Sequence, residues 1–204
     1  MAISLVAWDF DGVLNANIQD GRFIWADTFE QDIGVPVERF VQACFLSGDF
    51  DEVLVGVRDL EDVVAAWIEE ECLAISPRAF MDYWFGKDVH PDMEVLDLAA
   101  RLSVRQVIAT NNEAHRAGYI WGEMGFSERM DRIFAAGPMG FKKPDQRFFE
   151  EICTWADCAP AEALLIDDNV PNVEAARKFG WNAFHFSHDT RGGLEAELLR
   201  LGLL

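Results

Sequence analysis

The run Val6-Ala7-Trp8-Asp9-Phe10-Asp11-Gly12-Val13-Leu14-Asn15 decides the fold. It continues an apolar stretch, Ile3 to Trp8, long enough for one buried strand, and ends in two carboxylates spaced i, i+2 with a glycine directly after. Side chains at i and i+2 share one face of a strand. Asp9 and Asp11 are therefore expected to leave the strand's C-terminal end side by side, with Phe10 turned the other way into the core. Like charges that close repel each other unless a cation lies between them or one stays protonated. A divalent metal at the carboxyl edge of a parallel sheet meets that need, and open α/β folds bind their ligands at that edge. In isolation the stretch reads equally well as a strand ending in a turn, since Asp-Gly is ordinary turn chemistry.

Outward from this run, strand–helix alternation resumes at about residue 90. Pro91 and the acids after it open a helix that runs to about Leu102, followed by a short strand from Val104 to Ala109 that ends in Thr110-Asn111-Asn112. Helix Glu113 to Met124, strand Arg132 to Ala136 and helix Pro144 to Trp155 come next. Strand Ala163 to Ile166 then runs straight into Asp167-Asp168. Helix Pro171 to Phe179, strand Trp181 to Phe186 and helix Gly193 to Leu201 close the chain. Such alternation means an α/β, Rossmann-like parallel sheet with helices on both faces. Polar residues sit just past the ends of successive strands: Asp9 and Asp11, Thr110 and Asn111, Asp167 and Asp168. Lys142-Lys143-Pro144 enters a helix between the last two groups.

Residues 16–89 interrupt this pattern. Phe23 to Ile33, Val37 to Leu46, Leu60 to Cys72 and Pro77 to Phe85 read as helices, with no strand-like alternation among them. The expected organisation is a catalytic core of residues 1–15 and 90–204, with residues 16–89 a small all-helical cap inserted after the first strand.

The formal net charge of −19 over 204 residues argues against nucleic-acid and anionic-membrane partners, which require basic patches. A phosphorylated substrate would be repelled at long range too, so a phosphate site here must be rescued locally by a metal and a few cations. The N-terminus carries no basic segment and its apolar run stops at Asp9, unlike a signal peptide, and no apolar run approaches membrane-spanning length. Cys44, Cys72, Cys153 and Cys158 form no CxxC pair and have no zinc-type histidine spacing. Free thiols in a reducing cytoplasm are the expected account. Oligomeric state is not legible.

A carboxylate nucleophile suits phosphoryl transfer. It is ionised near neutral pH without help from a base, a divalent cation offsets its repulsion from phosphate, and a second acid can protonate the leaving oxygen. DFDGVLN (9–15), VIATNN (107–112), GFKKPD (140–145) and LLIDDNVPNVEAARKFG (164–180) together resemble the four motifs of the haloacid dehalogenase superfamily, in its phosphatase form. PDMEVLDLAARL, TNNEAHRAGY and WNAFHF further resemble the bacterial branch that includes glucose-1-phosphate phosphatase.

The resemblance implies Asp9 as nucleophile, Asp11 as general acid/base and Lys143 as the lysine that neutralises nucleophile and phosphate. Thr110 would bind the phosphoryl group with Asn111 beside it. Asp168 would hold Mg²⁺ together with the Asp9 carboxylate and the Asp11 backbone carbonyl, and Asp167 and Asn172 would support them from behind. Lys142 is left to solvent. His90, His115, His185 and His188 match no catalytic position of the family, and helix-spaced Trp67, Tyr83, Trp84 and Phe85 are read as core before substrate contacts. The activity implied is Mg²⁺-dependent hydrolysis of a small phosphorylated metabolite, a sugar phosphate first. A phosphomutase of the same fold is the enzymatic alternative, and a non-catalytic binding or regulatory protein is the alternative of another class.

Overall fold

Every residue of strand β1 (Leu5–Trp8) is buried, as a central parallel strand covered on both faces requires. In the computed structural model, which describes residues 2–19, 21–48 and 50–204, a two-residue hairpin follows it, β2 (Ile18–Gln19) and β3 (Arg22–Phe23). A 3₁₀ turn, Ile24–Thr28, then leads into α1 (Phe29–Ile33), α2 (Val37–Cys44), α3 (Phe50–Leu54), α4 (Leu60–Glu70) and α5 (Pro77–Lys87). The regular part of the chain continues with α6 (Met93–Ala100), β4 (Arg105–Thr110), α7 (Ala114–Trp121), β5 (Arg132–Ala135), α8 (Ala136–Met139) and α9 (Gln146–Ala156). It ends with β6 (Ala163–Asp167), α10 (Val170–Phe179), β7 (Asn182–His185) and α11 (Leu194–Arg200).

The main sheet has the order β5-β4-β1-β6-β7, all parallel. The chain builds outward from β1 on one side through β4 and β5, then returns to the other side for β6 and β7. The switch point lies at the C-terminal end of β1, where open sheets leave a crevice. Period-two alternation divides the apolar side chains between the faces. Val6, Trp8, Ile108, Leu164 and Ile166 enter one core cluster, while Leu5, Ala7, Val107, Ala109 and Leu165 enter the other.

The hairpin and α3 are absent from the sequence reading, for a simple reason. Two-residue strands and a five-residue helix are shorter than one period of any pattern that could reveal them. Residues from Trp25 to Phe85 build a separate cluster around Phe40, whose ring centroid lies 4.9 Å from that of Trp67, 5.0 Å from Trp84 and 5.1 Å from Phe80. Trp67, Trp84 and Phe85 are buried in it, and Phe85 also meets Tyr119 of α7 edge-on at 5.5 Å.

The two chain crossings between the sheet and the helical unit are tied to each other. Asn15 donates to the Asp88 carbonyl at 2.7 Å and accepts the His90 N–H at 2.7 Å, and the Ala16 N–H donates to the His90 carbonyl at 2.6 Å. Asn17 reaches the Asp88 carboxylate at 2.8 Å. Both asparagines are fully buried, so their side chains replace water for backbone that could not otherwise be satisfied. Among the described residues no helix is long and apolar enough to cross a membrane.

Helix α8 begins against the first turn of α7, and Gly137 is where they touch. A Cβ there would lie 2.6 Å from the Ala114 nitrogen and 2.9 Å from the Glu113 carbonyl carbon. Both obstacles are backbone, so neither can swing aside. Gly137→Ala is expected to cost about 1–3 kcal/mol, lowering Tm by roughly 3 °C per kcal/mol at this chain length. An unchanged melting curve by circular dichroism would contradict that contact.

Candidate active site

Three parallel strands deliver their polar residues to one edge. Asp9 follows β1 directly and its N–H donates to the Ile166 carbonyl of β6 at 2.8 Å. Thr110 ends β4 and Asp167 ends β6. Carboxylate oxygens of Asp9, Asp167 and Asp168 all lie within 4.8 Å of one another. Lys143, whose side chain is completely buried, lies between two of them, 2.5 Å from Asp167 Oδ2 and 3.1 Å from Asp9 Oδ1.

Three carboxylates against one ammonium leave an excess of two negative charges in a desolvated pocket, a balance that one divalent cation neutralises. The surroundings respond accordingly. Burial raises the Asp9 carboxyl well above its ordinary value, the Asp167 charge adds to the shift, and Lys143 opposes it. Burial and Asp167 push Asp168 up to about 6. Burial alone would lower the Lys143 ammonium, but Asp167 and Asp9 outweigh that and hold it above the usual lysine range.

The site is held by its own second layer. The Asn172 amide donates to both Asp167 oxygens, at 3.1 and 3.2 Å. Asn111 clamps the lysine's backbone, accepting the Lys143 N–H at 2.8 Å and donating to its carbonyl at 2.9 Å. Asn111 thus positions the lysine, and the second N–H of its amide, at the cavity lining, has no hydrogen-bond partner among the described residues. Thr110 is 1% exposed and its hydroxyl accepts from Asn112 at 2.7 Å. It does not cap α7; Glu113 does, accepting the His115 and Arg116 N–H groups. Gly12, at φ +78°, lets the loop after β1 approach Asp168 so closely that a Cβ would lie 2.5 Å from its Oδ2.

Asp11 departs from the side-by-side placement expected of it. The strand ends at Trp8 and the chain turns, so strand parity no longer governs residue 11. Asn17 donates to Asp11 Oδ1 at 2.7 Å, Asn112 donates to Oδ2 at 2.8 Å, and the Arg116 guanidinium stands 4.0 Å away. Phe10 does turn into the core, edge-on to Phe126 at 5.3 Å.

Asn17, Asp88, Asn112 and Arg116 all escaped the sequence reading. Arg116 is buried, ion-paired with Asp88 at 2.6 Å, and donates to the Phe85 carbonyl at 3.1 Å. Burial pushes Asp88 up to about 7, with Arg116 opposing the shift and Asp11 adding to it. Arg116 stands in the first turn of α7, and nothing in its sequence neighbourhood marks it as buried. Lys142 is not left to solvent either: it pairs with Asp51 of α3, joining the lysine loop to the helical unit. Of the histidines, His115 pairs with Asp59 at 2.9 Å, and His185 lies 3.0 Å from the Asp168 carbonyl, just behind the acid pair. Asp11 lines a cavity of about 210 Å³ together with residues of the helical unit.

Residues 3–180 match the haloacid dehalogenase-like hydrolases. A sesquiterpene phosphatase of Aspergillus oryzae is 37% identical over 57 residues, 28% of this chain, and the chain spans only 29% of that enzyme's length. A validoxylamine A 7'-phosphate phosphatase of Streptomyces hygroscopicus is 23% identical over 199 residues, covering 94% of this chain and 90% of its own. Among solved structures, a haloacid dehalogenase family enzyme of Bacteroides thetaiotaomicron in complex with magnesium and inorganic phosphate superposes with a TM-score of 0.73. It is 18% identical and covers 91% of this chain and 95% of its own, a likeness of fold.

The raised Asp168 carboxyl fixes the sign of a pH effect. Its folded-state value of about 6 stands above the ordinary 3.8, so the folded protein holds this proton more tightly than the unfolded chain does. That contribution to stability is complete below about pH 4 and is lost as pH rises through about 6. Asp168→Asn lacks the titration. In EDTA, the Tm of the variant minus that of the wild type is expected to grow by roughly 4 °C between pH 4 and pH 7.5. A difference independent of pH would contradict the electrostatic account of the cluster.

Proposed function

The chain belongs to the haloacid dehalogenase-like hydrolases, and on that footing we propose that it is a Mg²⁺-dependent phosphomonoesterase acting on a small phosphorylated metabolite through an aspartyl-phosphate on Asp9. One observation carries the reading: Lys143 bridges Asp9 and Asp167, while Asp11, two residues from Asp9, is held apart at the cavity floor. Two carboxylates in different surroundings suit two different tasks.

The Asp9 and Asp168 carboxylates with the Asp11 backbone carbonyl are the ligands that would hold Mg²⁺. Bound there, the ion offsets the repulsion between carboxylate and phosphate, about 4 kcal/mol for unit charges 4 Å apart at an effective dielectric of 20. The Phe10 N–H and the Lys143 ammonium both fall on Asp9 Oδ1, which leaves Oδ2 to attack phosphorus. As the bond from Oδ2 to phosphorus forms, the bond from phosphorus to the ester oxygen breaks, and Asp11 gives its proton to the departing alkoxide.

Water entering from the cavity then attacks the same phosphorus and yields its proton to Asp11. The bond to Asp9 breaks and inorganic phosphate leaves. Asn17 and Asn112 hold the Asp11 carboxyl in place for both transfers. Lys143 faces the negative charge that develops on the phosphoryl oxygens, and the Thr110 hydroxyl donates to one of them. Residues 16–89 act as the cap that encloses the leaving group, tied to the core through Asn15 and Asn17.

Phosphate release from a generic aryl phosphate should require Mg²⁺, and Asp9→Asn should reduce it by at least about 10³-fold. Equal, negligible rates for wild type and Asp9→Asn would sink the enzymatic reading. Lys143→Ala is expected to lower kcat by about 10²–10³-fold, and a change below about threefold would mean that another cation faces the transition state. Asp11→Asn should slow both steps while leaving Mg²⁺ affinity, by calorimetry, far less disturbed than Asp168→Ala does.

A further inference from the structure

The cavity above Asp11 has two unlike parts. Its floor is the catalytic edge, with Asp11, Asn111 and Asn112. Its walls come mostly from the helical unit and are apolar: Trp25, Phe45, Phe50, Leu54, Trp84 and Phe85. Since Asp11 is the group that would protonate the ester oxygen, whatever is attached to that oxygen lies against these walls.

The polar side chains that reach the cavity are mostly committed. Asn111 spends its amide oxygen and one N–H on the Lys143 backbone. Glu113 accepts the first N–H groups of α7. Arg116 donates to the Asp88 carboxylate and the Phe85 carbonyl. Asp88 Oδ2 already accepts from Asn17 and Arg116, while Asp88 Oδ1 is buried with no hydrogen-bond partner among the described residues. The polar capacity left at the cavity floor is small, one Asn111 N–H and the Asn112 side-chain carbonyl oxygen, in an otherwise aromatic and aliphatic enclosure.

A hexose attached through its phosphate carries four further hydroxyls. Each would give up water on entry, and a buried hydroxyl without a partner is penalised. One amide N–H and one amide oxygen cannot serve four of them. An apolar group meets no such obstacle, because the aromatic walls gain from covering it. Size agrees: a dry cavity of about 150 Å³ suffices for benzene, and this one measures about 210 Å³.

We infer that the leaving alcohol is apolar, a single ring or a short branched hydrocarbon chain with at most one further hydroxyl, which the Asn112 side-chain carbonyl oxygen would receive. The inference rests on the phosphatase reading and narrows its substrate class away from the sugar phosphates that the sequence resemblance suggests. The walls choose the substrate, and the acid edge performs the same chemistry on any ester that fits.

The test compares esters of primary alcohols, so that leaving-group basicity does not decide the ranking. Benzyl phosphate and 3-methylbut-3-enyl phosphate are assayed beside glucose 6-phosphate with Mg²⁺ and the whole protein. The expected kcat/KM for the apolar esters exceeds that for glucose 6-phosphate by at least about 100-fold. Comparable or better hydrolysis of glucose 6-phosphate overturns the inference and leaves the phosphatase reading intact, whereas no Mg²⁺-dependent release from any ester, aryl phosphate included, removes both. Leu54→Gln makes a half-buried wall position polar at the last residue of α3. It should lower the ratio of benzyl to glucose ester by about tenfold or more, and an unchanged ratio would mean that the leaving group lies elsewhere.

Discussion

The Lys143 ammonium, fully buried and in contact with Asp167 and Asp9, is what allows three carboxylates to share one edge of a parallel sheet. Strands β1 and β6 are hydrogen-bonded neighbours, so acids placed just past both are held together by the register itself. Without a cation, the folded state could relieve their repulsion only by taking up protons, which the raised Asp9 and Asp168 carboxyls already display. Much of the surrounding polar structure serves this ammonium. Asn111 fixes its backbone from β4, Asp167 neutralises it, and Asn172 fixes Asp167 from α10. The lysine cancels one of three negative charges, and the remaining excess of two is a demand for a divalent cation written into the fold.

The same constraint explains why Asp9 and Asp11 stand apart. A second carboxylate facing Lys143 from β1 would add charge to a pocket that already has too much. The chain instead leaves the strand at Trp8, turns through Gly12 and aims Asp11 at Asn17, Asn112 and Arg116. These partners also belong to the junction with the helical unit, since Asn17 and Arg116 both bind Asp88 where the chain returns to the core. The group proposed to move protons is thus built into the junction between the sheet and the helical unit.

How much of this could be read in the sequence depends on the range of the interaction. The sheet was legible because apolar runs ending in polar residues recur through the second half of the chain, and the convergence of Asp9, Thr110, Asp167 and Asp168 follows from parallel strands alone, whereas Lys143 arrives on the loop between α8 and α9. The turn after Trp8 was not legible: strand parity was extended two residues past the point where the strand stops. Asn17, Asp88 and Arg116 were invisible for another reason. Each has an unremarkable neighbourhood in sequence, and their meaning lies in contacts across 71 positions for Asn17–Asp88 and 28 for Asp88–Arg116. Lys142 looked like a solvated neighbour of Lys143 because its partner, Asp51, belongs to a helix too short to leave a pattern.

Charge and cavity together bear on where binding energy comes from. At −19 the chain offers an anionic ester no steering field, and fixed charges beyond a Debye length of about 8 Å are screened at physiological ionic strength. In the proposed reaction, attraction to the phosphoryl group is therefore local, through Lys143 and a metal, and both of these are best spent on the transition state. Uniform binding has to come from the rest of the molecule. An aromatic enclosure can supply it: covering roughly 150 Å² of apolar surface contributes about 4 kcal/mol at 25 cal/mol per Å². Under the proposed reaction, a strongly acidic chain with an apolar cavity over its acid-lined edge divides the work consistently, the walls holding the alcohol while the buried lysine and the acids act on phosphorus.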